Sequence, residues 1–378
     1  MADIDRTMTP LPPLPPAEAN GSAALPELVA IDATPPLVAT TNTSPVFEAL
    51  VSPALEAVDK LDLSQPIWRM PECWGHRGAS ASFPENTRMS FIEACKAGAD
   101  GIETDIHITA DNELVMFHDP ELSRTTDGTG RIHSQPWHGV LEHVRTIKAP
   151  HQPIPRFSEV LDILMQPENM HVKVNIDCKV ENDPSKLFKL IQAELARFPG
   201  WQTALAPRLV LGLWHPKFIA PAYAYLPLLR RYCISMSIPQ VRQYFFDHCH
   251  GFSVWYYALN TAEGAKFRAD CAAAGKEIAT WTVNDRDDML QCARWGIAAV
   301  ISDKPELWRE VKREVAGARG DAGAIERALR PSYQSYILPF FNKQSYWFEQ
   351  DRKAQEELYY LEREGGPFGA VTLYPPVA

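Results

Sequence analysis

Between Cys73 and Asp119 the chain carries a dense set of groups able to bind and cleave a phosphate ester. Glu103, Asp105 and His107 alternate along a strand-like stretch, so they share one face while Ile102, Ile106 and Ile108 form the other. Two carboxylates on one face offer hard oxygen ligands, which suit Mg²⁺ or Ca²⁺. Asn175, Asp177 and Lys179 alternate in the same way, so Asp177 could add a third carboxylate and Lys179 a positive charge facing a phosphate. His76 and His118 each close a predicted strand. Histidine takes and gives protons near neutral pH, and phosphodiester cleavage needs both acts. Arg77 brings the forked donor that matches phosphate oxygens. Most histidines are packing or surface groups; this pair stands apart because both end strands within one local pattern. Trp281 ends another strand and suits either an apolar wall beside a substrate or an ordinary core position. His215, just after Trp214, could reach the same place.

These residues need a scaffold that brings distant strand ends together. From about Ile67, apolar runs of strand length alternate with helical patterns. Strands are expected at Cys73–His76, Gly101–Ile108, Leu114–His118, Val172–Cys178, Leu209–Trp214, Tyr232–Ser237, Phe252–Tyr256, Glu277–Val283 and Ala299–Ser302. Helical patterns fall between most of them, which favours a parallel sheet with crossovers. Roughly eight such repeats predict an α/β fold, a (β/α)₈ TIM barrel, with its site at the C-terminal ends of the strands. Neither GxGxxG nor GxxxxGK[ST] occurs, which removes the usual nucleotide-binding readings of an open sheet. The Thr-, Gly-, His- and Pro-rich stretch from Leu122 to Pro155 breaks the alternation and reads as a small insertion after the second strand region, lying over the barrel mouth.

The flanks differ in texture. Residues 1–66 hold 11 of the 32 prolines and predict a disordered head. Residues 67–314 hold the barrel, and 315–378 form a partly helical C-terminal extension with an aromatic run at Tyr333–Phe348 and a charged, helix-prone run at Gln350–Glu364. The aromatic run either packs on the barrel or touches lipid as a peripheral contact. Of the net charge of −10, the first 65 residues supply seven, with nine acidic residues against Arg6 and Lys60. The near-neutral remainder gives no footprint for nucleic acid. Seven scattered cysteines without a CxxC pair point to reduced thiols in an intracellular, cytoplasmic protein. The N-terminus has no basic and apolar leader pattern, and no apolar run is long enough to span a bilayer.

The ordered motifs HRG at 76–78, PENT at 84–87, ExD at 103–105, HD at 118–119, WTVND at 281–285 and SDKP at 302–305 resemble the glycerophosphodiester phosphodiesterase family. VNIDCK, LGLWHPKF and RYCISMS are most similar to its fungal phosphatidylglycerol phospholipase C branch. The resemblance implies a TIM barrel with one divalent cation held by Glu103, Asp105 and Asp177. Most members have Glu where this chain has Asp177. It also implies His76 and His118 as the acid–base pair, with His76 as base and His118 as acid, and Arg77 and Lys179 on the phosphate. The implied reaction has a glycerol hydroxyl attack the neighbouring phosphorus, with the cyclic phosphate then hydrolysed. The substrate is expected to be an intact phospholipid such as phosphatidylglycerol, cleaved to diacylglycerol and glycerol phosphate, or else a soluble deacylated glycerophosphodiester. A phospholipase D-like lyase shares the HR…ExD…H skeleton, and an inactive binding module with a recruiting head is the remaining alternative.

Overall fold

Cys73, Ile102, Ile106, Val174, Ile176, Leu211 and Cys233 sit at every second strand position, and in the computed structural model they form one apolar layer with Phe157, Phe188, Phe218 and Phe267 of the surrounding helices. The structure describes residues 70–317 and 351–373. The Pro-rich head and the aromatic run at Tyr333–Phe348 lie outside those residues. Nine strands follow in order: β1 Glu72–His76, β2 Gly101–Ile108, β3 Leu114–Met116, β4 Lys173–Cys178, β5 Leu209–Leu213, β6 Arg230–Ser235, β7 Gly251–Trp255, β8 Glu277–Trp281 and β9 Ala299–Ser302. All but β3 pair in parallel, and β1 pairs with both β2 and β9, which closes an eight-stranded barrel. β3 runs antiparallel on the edge of β2.

Strand alternation then divides the interior. Trp74, Val210, Tyr232, Ala279, Ala299 and Ile301 point inward and form a separate apolar cluster within the barrel. Beyond this cluster, toward the C-terminal ends of the strands, the inward residues are polar: His76 on β1, Glu103 and Asp105 on β2, Asn175 and Asp177 on β4. Register aligns His76 with Glu103, Glu103 with Asn175, and Asp105 with Asp177, so the candidate site occupies two layers above an apolar plug.

The stretch 122–155 contains three short 3₁₀ turns and packs its own cluster of Leu122, Ile132, Leu141 and Ile154 against Val115 and Phe117. Its Lys148 ammonium donates to the carbonyls of Ser80, Ala81 and Phe83 at 2.8–3.0 Å, tying the insertion to the loop after β1. The charged run near the C-terminus is helical over 351–365. That helix buries Leu361, donates from Tyr360 to Glu181, and accepts the Met236 amide on Glu357 at 3.2 Å. Phe368 beyond it stacks edge-on against Tyr244 and Phe245. All seven cysteines are free, and six of them are buried, which accords with their reading as small apolar side chains.

Candidate active site

The loop that follows β1 sets the first two site residues. Arg77 adopts φ of +54°, and Gly78 follows at +86°. A Cβ at Gly78 would lie 2.6 Å from the backbone carbon of Ser90, so glycine is needed there on both steric and conformational grounds. Gly78→Ala is expected to cost about 3 kcal/mol from left-handed strain plus overpacking. It should lower the thermal midpoint and also displace Arg77, read as reduced turnover in the folded fraction.

With Arg77 so turned, its backbone N–H donates to Glu103 Oε2 at 3.0 Å, and its guanidinium donates to Glu85 Oε1 at 2.9 Å. Nε of Arg77 stands 3.6 Å from Asp105 Oδ2. Asn86, in the left-handed region at φ +52°, donates to Asp105 Oδ2 at 2.7 Å and accepts from Thr104 Oγ1 at 2.7 Å. The next residue, Thr87, caps the helix Arg88–Lys96 by accepting from Ser90 N at 3.2 Å.

Each histidine has a carboxylate on Nδ1. His76 Nδ1 lies 2.6 Å from Asp303 Oδ1, and His118 Nδ1 lies 2.7 Å from Asp119 Oδ1. A carboxylate only accepts, so Nδ1 carries the proton in both rings and Nε2 is left for chemistry. Asp303 is fixed in turn by Ser80 Oγ at 2.8 Å and Asn284 Nδ2 at 2.5 Å. Burial opposes its ionisation, but His76, Ser80 and Asn284 outweigh that and hold Asp303 well below the usual carboxylate range. Asp119 is brought down to about 2 in the same way, burial being outweighed by His118 and Arg124. Arg124 also reaches Glu85 at 2.6 Å, which links the His118 dyad to Arg77. His118 itself is held below the ordinary histidine value by burial and then by the Lys179 ammonium, with Asp105 and Asp119 opposing.

Glu103, Asp105 and Asp177 are all buried, and one oxygen from each lies within 4.8 Å of the others. The shorter arm of Asp177 therefore still reaches the group, steadied by Trp214 Nε1–H at 2.8 Å. Lys179 does not extend to open space. Its ammonium sits 2.6 Å from Asp105 Oδ1 and 2.9 Å from Asp177 Oδ2. Burial, Asp105 and Asp177 together push Glu103 well above the usual range, against Arg77 and Lys179. On Asp105 burial is opposed by Lys179 first and by Arg77, and these cations win, leaving it well below. Positive charge already present therefore satisfies Asp105 and leaves Glu103 short. Asn175, register partner of Glu103, has both side-chain polar atoms buried without a hydrogen-bond partner. Three converging carboxylates and an orphaned amide are the donor set of a hard divalent cation, and Glu103, Asp105 and Asp177 fit one.

Seven of the nine residues predicted from the sequence line one cleft: His76, Arg77, Glu103, Asp105, His118, Asp177 and Trp281. Trp281 forms its wall with Trp214, ring centroids 5.7 Å apart. Lys179 is drawn into the carboxylates. His215 is not brought to the cleft: its Nδ1 accepts from Lys217 N at 3.0 Å and its Nε2 donates to Gly366 O at 2.8 Å. That ring also packs against Phe368 at 4.4 Å, so His215 anchors the C-terminal segment. Sequence reasoning gave no role to Asp303, Asn284, Asn86 or Asn175. The first three stood inside SDKP, WTVND and PENT. Their tasks depend on partners 227, 19 and 19 residues away for Asp303, Asn284 and Asn86.

A closed parallel barrel carrying two histidine–carboxylate dyads and an acidic triad at its mouth is the framework of a phosphoric diester hydrolase. Residues 76–307 match the glycerophosphoryl diester phosphodiesterase family, and the chain belongs to it. A glycerophosphodiester phosphodiesterase of Caldanaerobacter subterraneus subsp. tengcongensis is 24% identical over 249 residues, covering 61% of this chain and 93% of that protein. One from Bacillus subtilis is 26% identical over 258 residues, covering 63% and 85%. The crystal structure of an Oleispira antarctica phosphodiesterase in complex with the product sn-glycerol-3-phosphate superposes with a TM-score of 0.55 at 25% identity, covering 64% of this chain and 96% of that one. The match leaves out the helix over 351–365.

Proposed function

We propose that this chain hydrolyses glycerophosphodiesters to sn-glycerol 3-phosphate and an alcohol, with a divalent cation held by Glu103, Asp105 and Asp177. The observation that carries the reading is the pair of carboxylate-backed histidines, His76 on Asp303 and His118 on Asp119, both lining the cleft that holds the acidic triad. Mg²⁺ and Ca²⁺ both suit the all-oxygen set. Such a cation, when bound, offsets charge on the phosphoryl oxygens. The chain's own residues supply the rest. Arg77, fixed by Glu85, faces the phosphate. His118, kept neutral by burial and Lys179, takes the proton of the attacking glycerol hydroxyl at Nε2. His76 gives its Nε2 proton to the leaving alkoxide, with Asp303 supporting the charge. This assignment reverses the roles expected from the resemblance, and the reason is the depressed basicity of His118. Trp214 and Trp281 wall the cleft on the side where an uncharged glycerol carbon skeleton can lie.

The phosphatidylglycerol reading rests on the motif likeness to the fungal branch and on the aromatic run at Tyr333–Phe348, outside the described residues. The described residues give it less: their exposed large apolar side chains, Val140, Ile147, Met170, Leu228, Tyr359 and Leu373, are scattered along the chain. No helix among the described residues is long and apolar enough to cross a membrane. The test is to incubate the protein with glycerophosphoglycerol, glycerophosphocholine and phosphatidylglycerol vesicles, each with Mg²⁺, Ca²⁺ or chelator. Glycerol phosphate released from the soluble diesters, and lost with chelator, is the expected result. Diacylglycerol from the vesicles with inert soluble diesters would overturn the preference. Accumulation of a stable cyclic phosphate would place the chain with the lyases.

A further inference from the structure

Arginine is rarely buried without a compensating partner, because desolvating its charge is costly. The barrel contains an instructive pair. Arg208 is 8% exposed and spends its donors on four carbonyls, those of Ala204, Leu164, Asn169 and Val172, at 2.8–3.2 Å. Arg231 is 4% exposed and has one long bond, to Leu229 O at 3.4 Å, with its Nε buried and unpartnered. No carboxylate among the described residues pairs with it; its guanidinium lies over the Tyr223 ring, 4.3 Å from the centroid. Four of its five N–H groups are therefore unspent.

Arg231 is the second residue of β6, at the end of the barrel away from the catalytic mouth, below the Trp74–Tyr232 plug. It lines a solvent-open cleft together with Arg230, His248, His250 and Lys276, residues at or just before the starts of β6, β7 and β8. Asp247 is the one carboxylate among the lining residues. Glu277 is committed to Arg230 at 3.0 Å and to the Tyr232 hydroxyl. Lys276 gives one N–H to Cys249 O at 2.6 Å and keeps two. His250 accepts the Arg231 amide on Nδ1 at 3.1 Å, which leaves Nε2 as its donor. Burial lowers His250, and the nearby charges of Arg231, Arg230 and Lys276 lower it further, against the hydrogen bond from the Arg231 amide.

The geometry points to an anion-binding site in this cleft, one that takes a phosphate-class oxyanion on the Arg231 fork, with Lys276 and His250 completing the cradle. The ligand class follows from the donors of the residues that line one concavity: a planar fork, an ammonium and an imidazole. It is separate from the phosphate position at the mouth and does not depend on the catalytic reading.

The test removes the mouth from the measurement. In chelator and in an Arg77→Ala background, inorganic phosphate titrated into the full chain by calorimetry should bind at one site per chain. Adding Arg231→Met should weaken that binding by about tenfold or more, the scale of a lost charge-assisted fork. Lys276→Gln should weaken it less. Arg231→Met alone should leave turnover of soluble diesters unchanged and the thermal midpoint in phosphate-free buffer no lower than the parent's, since it removes an uncompensated charge. If that variant fails to fold, Lys276→Gln and His250→Gln at the rim carry the comparison. Cosedimentation with phosphatidylcholine vesicles with and without phosphatidic acid distinguishes the source. Binding to free phosphate alone marks a soluble ligand, and vesicle binding weakened by the same substitutions marks a lipid headgroup. Absence of phosphate binding at millimolar concentration, or equal affinity in Arg231→Met and Lys276→Gln, overturns the proposal.

Discussion

Replacing His118 or His76 by alanine is expected to lower kcat about 100- to 10,000-fold, the range for loss of a positioned general base or acid. The two losses should separate when the leaving group changes. A glycerophospho-4-nitrophenol diester expels a phenolate that needs no proton, so His76→Ala should recover most of its deficit on that substrate, whereas His118→Ala should not. The reverse pattern would return the roles to those expected from the resemblance. Asp303→Asn offers a finer reading. It preserves shape but can present an N–H to His76 Nδ1, favouring the wrong tautomer and leaving Nε2 protonated differently. Its deficit should likewise shrink with the nitrophenol ester if Asp303 acts through His76. A binding module without turnover predicts nothing to lose in any of these variants.

Asp105 and Glu103 stand two strand positions apart on the same face, yet their substitution should fail in different ways. Asp105 is 1% exposed and holds Lys179 at 2.6 Å and Asn86 at 2.7 Å. Asp105→Ala strands the Lys179 ammonium beside Asp177 alone, and breaking a buried pair costs about 3–5 kcal/mol. For a domain of this size that is a fall of roughly 6–20 °C in thermal midpoint. Glu103 is the carboxylate that burial and its neighbours push upward. Glu103→Gln in metal-free protein should therefore be neutral or stabilising while abolishing cation-dependent turnover. The sign of its pH dependence follows from linkage. An acid with a raised folded value binds its proton more tightly when folded, so in the parent it costs stability as pH rises above the unfolded value of about 4.3. The advantage of Glu103→Gln over the parent should open above that pH and be absent below it. Melting curves in chelator across that range, beside turnover with added cation, measure both halves. Equal destabilisation by the two substitutions would mean that Glu103 is a packing residue.

The nine strands were legible because period-two alternation and strand length both appear in the local sequence, and each expected strand is present within a few residues. Glu103, Asp105, Asp177 and His76 were legible for a related reason: inward-facing polar residues near strand ends are costly unless they serve a site; His118 was legible only through its motif, since β3 stops at Met116 and His118 lies in the turn beyond it. Asp303 was not, although it stood in a noticed motif, because nothing local ties it to a histidine on the first strand. Lys179 shows a different limit. Its charge and face could be read, but not that two carboxylates would draw in its ammonium. His215 had the correct type and a strand-end position, yet a carbonyl from the C-terminal segment took its Nε2. Such long-range competition for a donor has no sequence signature.

The pairing of β1 with β9 has a temporal meaning. His76 ends the first strand and Asp303 follows the last, so the dyad exists only when the two ends of the domain have met. A chain still emerging from synthesis, or one lacking its final strand, holds His76 without the carboxylate that sets its tautomer. With His76 in its proposed role, ester cleavage waits until the ring is complete, and turnover reports on successful folding.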